Sequence, residues 1–207
     1  GHESAADYRR WLDLDSALAG TEYRAGGVAY RREVFASYPD RLVGVRLSAD
    51  RPGRINCVVR LDSPHAGAEV VAEGGALVLR GQVEPGGIRF ESRALLAPEG
   101  GRVVAEGGTL RVIGADALVV RLVAATNFTN YRELGADPAG RCAALLRQSA
   151  GKSWEQLRQA HLADHRNLFR RVDLDLGRTA AADQPTDRRI REFKPDLIIT
   201  DIQMPGE

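Results

Sequence analysis

The residues in this chain that could do chemistry fall into a few short-spaced sets. Asp13 and Asp15, and again Asp173 and Asp175, stand two positions apart around apolar residues. Two carboxylates can divide general-acid and general-base work if their surroundings separate their pKa values. In an extended strand, however, residues i and i+2 share one face and the apolar residue between them takes the other. These carboxylates are therefore expected on the solvated face of a sheet, in structural roles. His161 and His165 have the i, i+4 spacing that lets two imidazoles on one helical face hold a zinc ion. Leu162 rather than Glu follows the first, and no third ligand stands out, so both are read as helix-packing residues and no metal or cofactor is implied. Cys57 and Cys142 form neither a disulfide framework nor a CxxC pair and read as buried free thiols. Tyr8, Trp11, Tyr23, Tyr30 and Tyr131 could stack on sugar rings, but aromatic core or interdomain packing is the preferred use. Asn127-Phe128-Thr129 is a glycosylation sequon by pattern. Gly26-Gly27 and Gly74-Gly75 lack any phosphate-cradle context and read as turns. On these residues no catalytic group and no substrate-binding residue is assigned.

The elements that must carry these residues follow from composition and periodicity. The chain has 207 residues, 43% hydrophobic and 28% charged, with 29 Lys and Arg against 28 Asp and Glu. A soluble chain of this size buries roughly 70% of its unfolded surface. A net charge of +1 excludes a surface built to neutralise nucleic-acid phosphates. No run approaches the roughly 20 apolar residues of a membrane span, and the opening GHESAADYRRW lacks the apolar region of a signal peptide. A soluble protein is expected, cytoplasmic, or exported if a signal peptide lies upstream. Position 1 is Gly, the single Met is Met204, and Lys occurs only at 152 and 194, the other basic residues being Arg. The missing start is read as the mark of a fragment.

Between residues 21 and 126 short β-branched or aromatic runs alternate with Gly- and Pro-bearing turns. Strands are expected at 21–24, 28–37, 42–49, 55–61, 76–82, 88–95, 101–105, 109–113 and 117–125. Strands at this spacing indicate an antiparallel β-sandwich rather than a βαβ enzyme. Asp137-Pro138 then starts a helix carrying Cys142, Leu145 and Leu146 and ending near Gly151. Ser153 with Gln156 supplies a capping box, behind which Trp154, Leu157, His161, His165, Leu168 and Phe169 trace one helical face. A strand-like run at 172–176 follows, then a small polar linker at 178–185 and a helix start at Pro185-Thr186-Asp187.

Three stretches carry a resemblance to a family. They are Asp7-Tyr8-Arg9-Arg10-Trp11-Leu12-Asp13-Leu14-Asp15 running on to residues 30–40, Ala124-Ala125-Thr126-Asn127-Phe128, and residues 161–177 continuing to Pro185-Thr186-Asp187. Their order and spacing resemble bacterial α-L-fucosidases of glycoside hydrolase family 95 over about residues 3–191, with His165 where Tyr is more usual. The resemblance implies a large N-terminal β-sandwich, a helical linker, an (α/α) barrel holding the inverting hydrolytic site, and a C-terminal β domain. The chain would then comprise a partial sandwich at 1–126 and the linker region at 127–191, and its partner would be the barrel that carries the catalytic carboxylates. Such a fragment is expected to be inactive alone, a non-catalytic scaffold of an enzyme acting on fucosylated glycans. The alternative is a stand-alone sandwich that binds carbohydrate or another protein.

Residues 193–206, Phe193-Lys194-Pro195-Asp196-Leu197-Ile198-Ile199-Thr200-Asp201-Ile202-Gln203-Met204-Pro205-Gly206, change in character and resemble the third strand and following loop of a response-regulator receiver domain. Asp201 holds the place of its phosphate acceptor. The upstream acidic pair and the downstream hydroxyl and Lys are missing, so phosphotransfer is not expected. The tail at 192–207 reads as a text joined to the rest, disordered or added to a sheet edge.

Overall fold

The computed structural model describes residues 4–173, 177, 180–184, 187, 188 and 191. Its strands are β1 (Ala6–Asp13), β2 (Leu18–Ala25), β3 (Val28–Ser37), β4 (Leu42–Ala49), β5 (Ile55–Val59), β6 (Glu69–Glu73), β7 (Ala76–Gln82), β8 (Arg89–Glu99), β9 (Arg102–Glu106), β10 (Thr109–Ala115) and β11 (Ala117–Thr126). Two helices follow, α1 (Pro138–Ser149) and α2 (Trp154–Phe169). One sheet has eight strands in the order β1-β2-β3-β4-β11-β8-β7-β6, and a second has three in the order β5-β10-β9. Every pairing is antiparallel. The expected sandwich with two following helices is therefore the observed architecture. Two strands went unforeseen, β1 and β6, and they are the two edges of the large sheet. Edge strands carry charge and exposure rather than clean alternation, and the sequences ADYRRWLD and EVVAE are almost wholly exposed.

At its centre the large sheet is covered on both faces, as β11 makes plain. Leu118, Val120 and Leu122 point to one side and join Ile55, Leu77, Leu96, Leu110 and Val112 in a core against the small sheet. Val123 and Ala125 point to the other and join Leu18, Phe35, Leu42, Cys142, Leu157 and Leu162 under the helices. Strand β11 can be apolar on both faces because it lies fourth from the far edge, between β4 and β8.

Both helix starts follow their sequence signals. The Asp137 carboxylate accepts hydrogen bonds from the amides of Ala139 and Gly140, each at 3.0 Å, and Pro138 opens α1. The Ser153 hydroxyl accepts from Gln156 N (3.2 Å), and the Gln156 side chain accepts from Ser153 N (2.8 Å). Gly44 on β4 admits the second helix: a Cβ there would sit 3.1 Å from both Phe35 Cζ and Trp154 Cζ3. The Phe35 and Trp154 rings meet with centroids 4.9 Å apart.

Residues up to Arg171 form one compact unit, helices included, and those from Val172 a second. The second unit shows a short 3-10 turn, Ala180–Asp183, and an ion pair between Arg191 and Asp187 at 3.7 Å. The strand expected at 172–176 extends beyond the described residues at 174–176. Pro185, Thr186 and the whole receiver-like tail, Asp201 included, also lie outside them.

Candidate functional site

The described members of the acid pairs are engaged by neighbouring side chains or exposed to solvent. Asp13 is exposed on the last position of β1, as expected of a sheet residue, whereas the placement of Asp15 is corrected: it lies in the β1–β2 turn. Asp13 accepts from the Ser16 hydroxyl (2.6 Å) and Asp15 N (3.1 Å), closing the turn. Asp15 accepts a bidentate fork from Arg170 (2.6 and 2.8 Å) and pairs with Arg166 at 2.9 Å, tying the turn to the end of α2. These bonds stabilise the ionised carboxylates: the Ser16 hydroxyl holds Asp13, and the Arg170 guanidinium holds Asp15, below the usual carboxylate range. A general acid needs the opposite displacement. Asp173 is exposed and Asp175 lies outside the described residues.

The buried carboxylates among the described residues are Asp40 and Glu91, and both are tied into the fold. Glu91 accepts from Arg80 Nε (2.8 Å) and from Arg93 Nε. Asp40 pairs with Lys152, from the α1–α2 connection, and accepts from the Ser37 hydroxyl at 3.1 Å.

The paired histidines face backbone rather than a metal position. His161 Nε2–H donates to Ser16 O (2.9 Å) and His165 Nε2–H to Leu14 O (2.8 Å), two carbonyls of the same turn. Their rings continue a column running from Phe35 through His161 and His165 to Phe169, with centroid separations of 4.8, 6.0 and 5.1 Å. Trp11 lies in the core under the helices and across Gly20, where a Cβ would come within 2.2 Å of its ring. Asn127 is buried, accepting from Arg89 N and donating to Leu134 O, both at 3.0 Å. Those bonds fix the loop after β11 and leave the sequon nitrogen no room for a glycan. Cys142 is buried as expected and donates to Glu91 O at 3.3 Å, its thiol pushed up to about 11 by burial. Cys57 is only half-buried, which corrects that half of the expectation.

The structure gathers three of the five singled-out aromatics elsewhere. Strand β5 lies against β4, and β9 and β10 lie over the β6–β8 side, so the small sheet leaves β1, β2 and β3 uncovered on this face. The result is a cleft of about 1090 Å³ beside β5. Tyr8, Tyr23 and Tyr30 line its overhanging wall with Arg32, and Arg54, Cys57, Val58 and Arg60 line the β5 side. Tyr23 and Tyr30 stack with centroids 5.2 Å apart. Burial raises the Tyr23 phenol and the Cys57 thiol, and the Arg32 charge opposes both shifts. Tyr131 stands apart, largely exposed, with the Arg132 guanidinium 4.8 Å from its ring centroid. Sequence reasoning missed this cleft because its basic lining comes from β3, the two ends of β5 and Arg111 of β10, which no local spacing connects.

Comparison with known proteins divides the chain in two. Residues 1–131 match the family described as glycosyl hydrolase family 65, N-terminal domain. Residues 153–204 match the glycosyl hydrolase family 95 catalytic domain, a match that starts at the α2 cap and runs through most of the receiver-like stretch. The chain is similar to Alpha-L-fucosidase 2 of Arabidopsis thaliana, with 31% identity over 92% of this chain and 27% of that protein. It is also similar to Probable alpha-fucosidase A of Aspergillus niger, with 27% identity over 90% of this chain and 25% of that protein. It thus spans about a quarter of the length of these curated relatives. Among solved structures a putative kojibiose phosphorylase from human microbiome superposes with a TM-score of 0.53 at 10% identity, over 78% of this chain and 25% of that one, a likeness of fold alone. The fucosidase resemblance stands, and since the N-terminal-domain match takes in more than half of the sequence, the chain belongs to the glycosyl hydrolase family 65 N-terminal domain family.

Proposed function

We propose that this chain is the non-catalytic platform of an inverting α-L-fucosidase-like hydrolase, the sandwich on which the first segment of the catalytic domain is built. One observation carries the reading: α2, where the catalytic-domain match begins, is packed into the same compact unit as the sandwich. Leu157, His161 and Leu162 of α2 are buried against the sheet, and Asp15 clasps the end of the helix. A platform of this kind fixes where the next element starts, and a shift of about 1 Å in a reacting group can cost on the order of a hundredfold in rate. The buried carboxylates among the described residues, Asp40 and Glu91, are tied into the fold, and the reading assigns the acid and base of hydrolysis to the remainder of the enzyme. The purified chain is expected to release no fucose from a 2′-fucosylated galactoside or an aryl fucoside while the complete polypeptide does. Release by the chain alone would sink the reading.

The rival reading, a stand-alone carbohydrate-binding module, draws on the three tyrosines of the cleft, and heat released on titrating a fucosylated oligosaccharide into this chain would favour it. We also read residues 193–206 as a receiver-like text joined to a bacterial fucosidase sequence, on their motif alone. Genomic DNA across the junction tests that reading, and an uninterrupted fucosidase frame would reject it.

A further inference from the structure

We propose that the outer face of the small sheet binds an anionic polysaccharide, whose carboxylate or sulfate groups seat on a diagonal stripe of three arginines, Arg60, Arg111 and Arg102. The register places them in line. Arg111 of β10 stands opposite Val58 of β5 on one side and Val104 of β9 on the other. Arg60 directly follows β5, two residues beyond Val58, and Arg102 lies two residues from Val104, opposite Ile113. Because Val59 pairs with Leu110, Arg60 falls on the Thr109 side of Arg111, whereas Arg102 falls on the Ile113 side. The three therefore cross the sheet on one diagonal. Two residues along a strand and one strand across make each step about 8 Å between Cα atoms, and the stripe about 17 Å long. All three arginines are exposed, and the residues that alternate with them, Val59, Leu110, Val112 and Val103, face the core between the sheets.

Charge and surface select the ligand. Glu106 is the one acid in β5, β9 and β10, and it accepts from Arg111 Nε alone, at 3.1 and 2.9 Å. The terminal nitrogens of Arg111, and the whole guanidinium groups of Arg60 and Arg102, have no hydrogen-bond or ion-pair partner among the described residues. A guanidinium is a rigid planar fork whose paired N–H donors match the oxygens of a carboxylate or a sulfate. In a chain of net charge +1, three such forks in one line are a local excess, which a polymer with anions repeated along its length meets at successive points. The methyl groups of Val58, 49% exposed, and of half-buried Val104 flank Arg111 and suit the C–H edges of sugar rings. The three strands carry no aromatic residue, so the stacking platform of a single-stranded nucleic-acid site is missing from this face. The small sheet covers the side of the large one opposite the helices, so the stripe does not rest on the reading of the chain as a platform for α2.

Calorimetric titration of the 207-residue chain with polygalacturonate, dextran sulfate and neutral dextran tests the site. Binding to polygalacturonate or to dextran sulfate, but not to dextran, is expected, and the polymer that binds more tightly tells a carboxylate ligand from a sulfate one. Added salt should weaken the binding, because each neutralised anion releases a counterion. Arg60→Gln together with Arg102→Gln removes two charge-assisted contacts and should weaken binding at least about tenfold. Arg9→Gln together with Arg10→Gln, on exposed β1, removes the same charge elsewhere and should change it less than about twofold. No binding to either anionic polymer overturns the proposal. Equal losses in the two pairs overturn it by making net charge the attractant, and DNA that binds as tightly as the polysaccharide overturns it by making the face a general polyanion surface. None of these readouts depends on fucose release, so failure of the enzymatic reading is separately visible.

Discussion

Replacing Gly44 by Ala tests how the helices are fastened to the sheet. The added Cβ would stand 3.1 Å from Phe35 Cζ and 3.1 Å from Trp154 Cζ3, closer than ordinary van der Waals contact. Neither ring can swing away freely. Phe35 is 2% exposed and is backed by both the His161 ring and the Trp154 ring, at 4.8 and 4.9 Å. Overpacking of this kind costs about 1–3 kcal/mol. Ala in place of Gly within a strand returns roughly 0.5–1 kcal/mol through the unfolded state. The net expectation for Gly44→Ala is a loss of about 1–2 kcal/mol. Trp154→Leu alone should cost about 2–3 kcal/mol by removing buried ring area, but it also removes one of the two obstructing atoms. In that background Gly44→Ala should come out near neutral, a coupling of about 1 kcal/mol or more. Urea midpoints at constant m-value, measured on the four proteins of the cycle, give the number. Additive effects within about 0.5 kcal/mol would mean that Gly44 is not what lets Trp154 approach, and the account of helix attachment given above would fail.

Three further outcomes are expected. Lys152→Ala leaves the fully buried Asp40 carboxylate without its cation and should lower stability in urea by about 2–4 kcal/mol, with Asp40→Asn in the same chain recovering part of the loss; an effect under about 0.5 kcal/mol would show that the pair is idle. Iodoacetamide near pH 8.5 should modify Cys57 well before Cys142, whose buried thiol is held near 11, and unfolding in urea should abolish the difference. Asp15 is held below its unfolded pKa by Arg170, so its contribution is present above that unfolded value of about 3.9 and is lost as pH falls through the lower folded one. Asp15→Asn should therefore weaken the protein at pH 7 and flatten its acid limb in urea titrations, and an unchanged limb would exclude the clasp as a source of stability.

Much of this fold was legible because the inner strands obey simple rules. Residues 109–113 alternate and the strand there buries Leu110 and Val112 as alternation says it should, while the turn-bounded run 76–82 buries Ala76–Leu79 in succession; β4 is packed on both faces, so Leu42 and Gly44 are buried and Val43, Val45 and Leu47 partly so. The helix starts were equally open to reading, since Asp137 and Ser153 cap through their own side chains and need no tertiary context. Strands β1 and β6 were hidden for the converse reason: an edge strand has one neighbour, and exposure on both faces erases the period. Function was harder to read. The His pair was separable from a metal site only by the absent Glu and third ligand, and Leu14 and Ser16, whose carbonyls occupy the two rings, lie far away in sequence. The basic lining of the cleft could not be seen at all, because Arg32 and Arg54 come to line one cleft only once the two sheets are stacked.

The two faces of the large sheet make different demands on the rest of the polypeptide. On the helix face, Trp11, Phe35, Trp154 and Leu157 pack together, and the helices are capped, clasped and hydrogen-bonded to the β1–β2 turn. On the other, only the strands from β4 onward are covered, and an aromatic and basic shelf remains open beside a free strand edge. A scaffold of this kind holds its outgoing helix by one face only, so substitution of Tyr23 or Arg32 in the cleft should leave the Gly44–Trp154 coupling unchanged, and a coupling altered by either would show that the two faces communicate through the sheet.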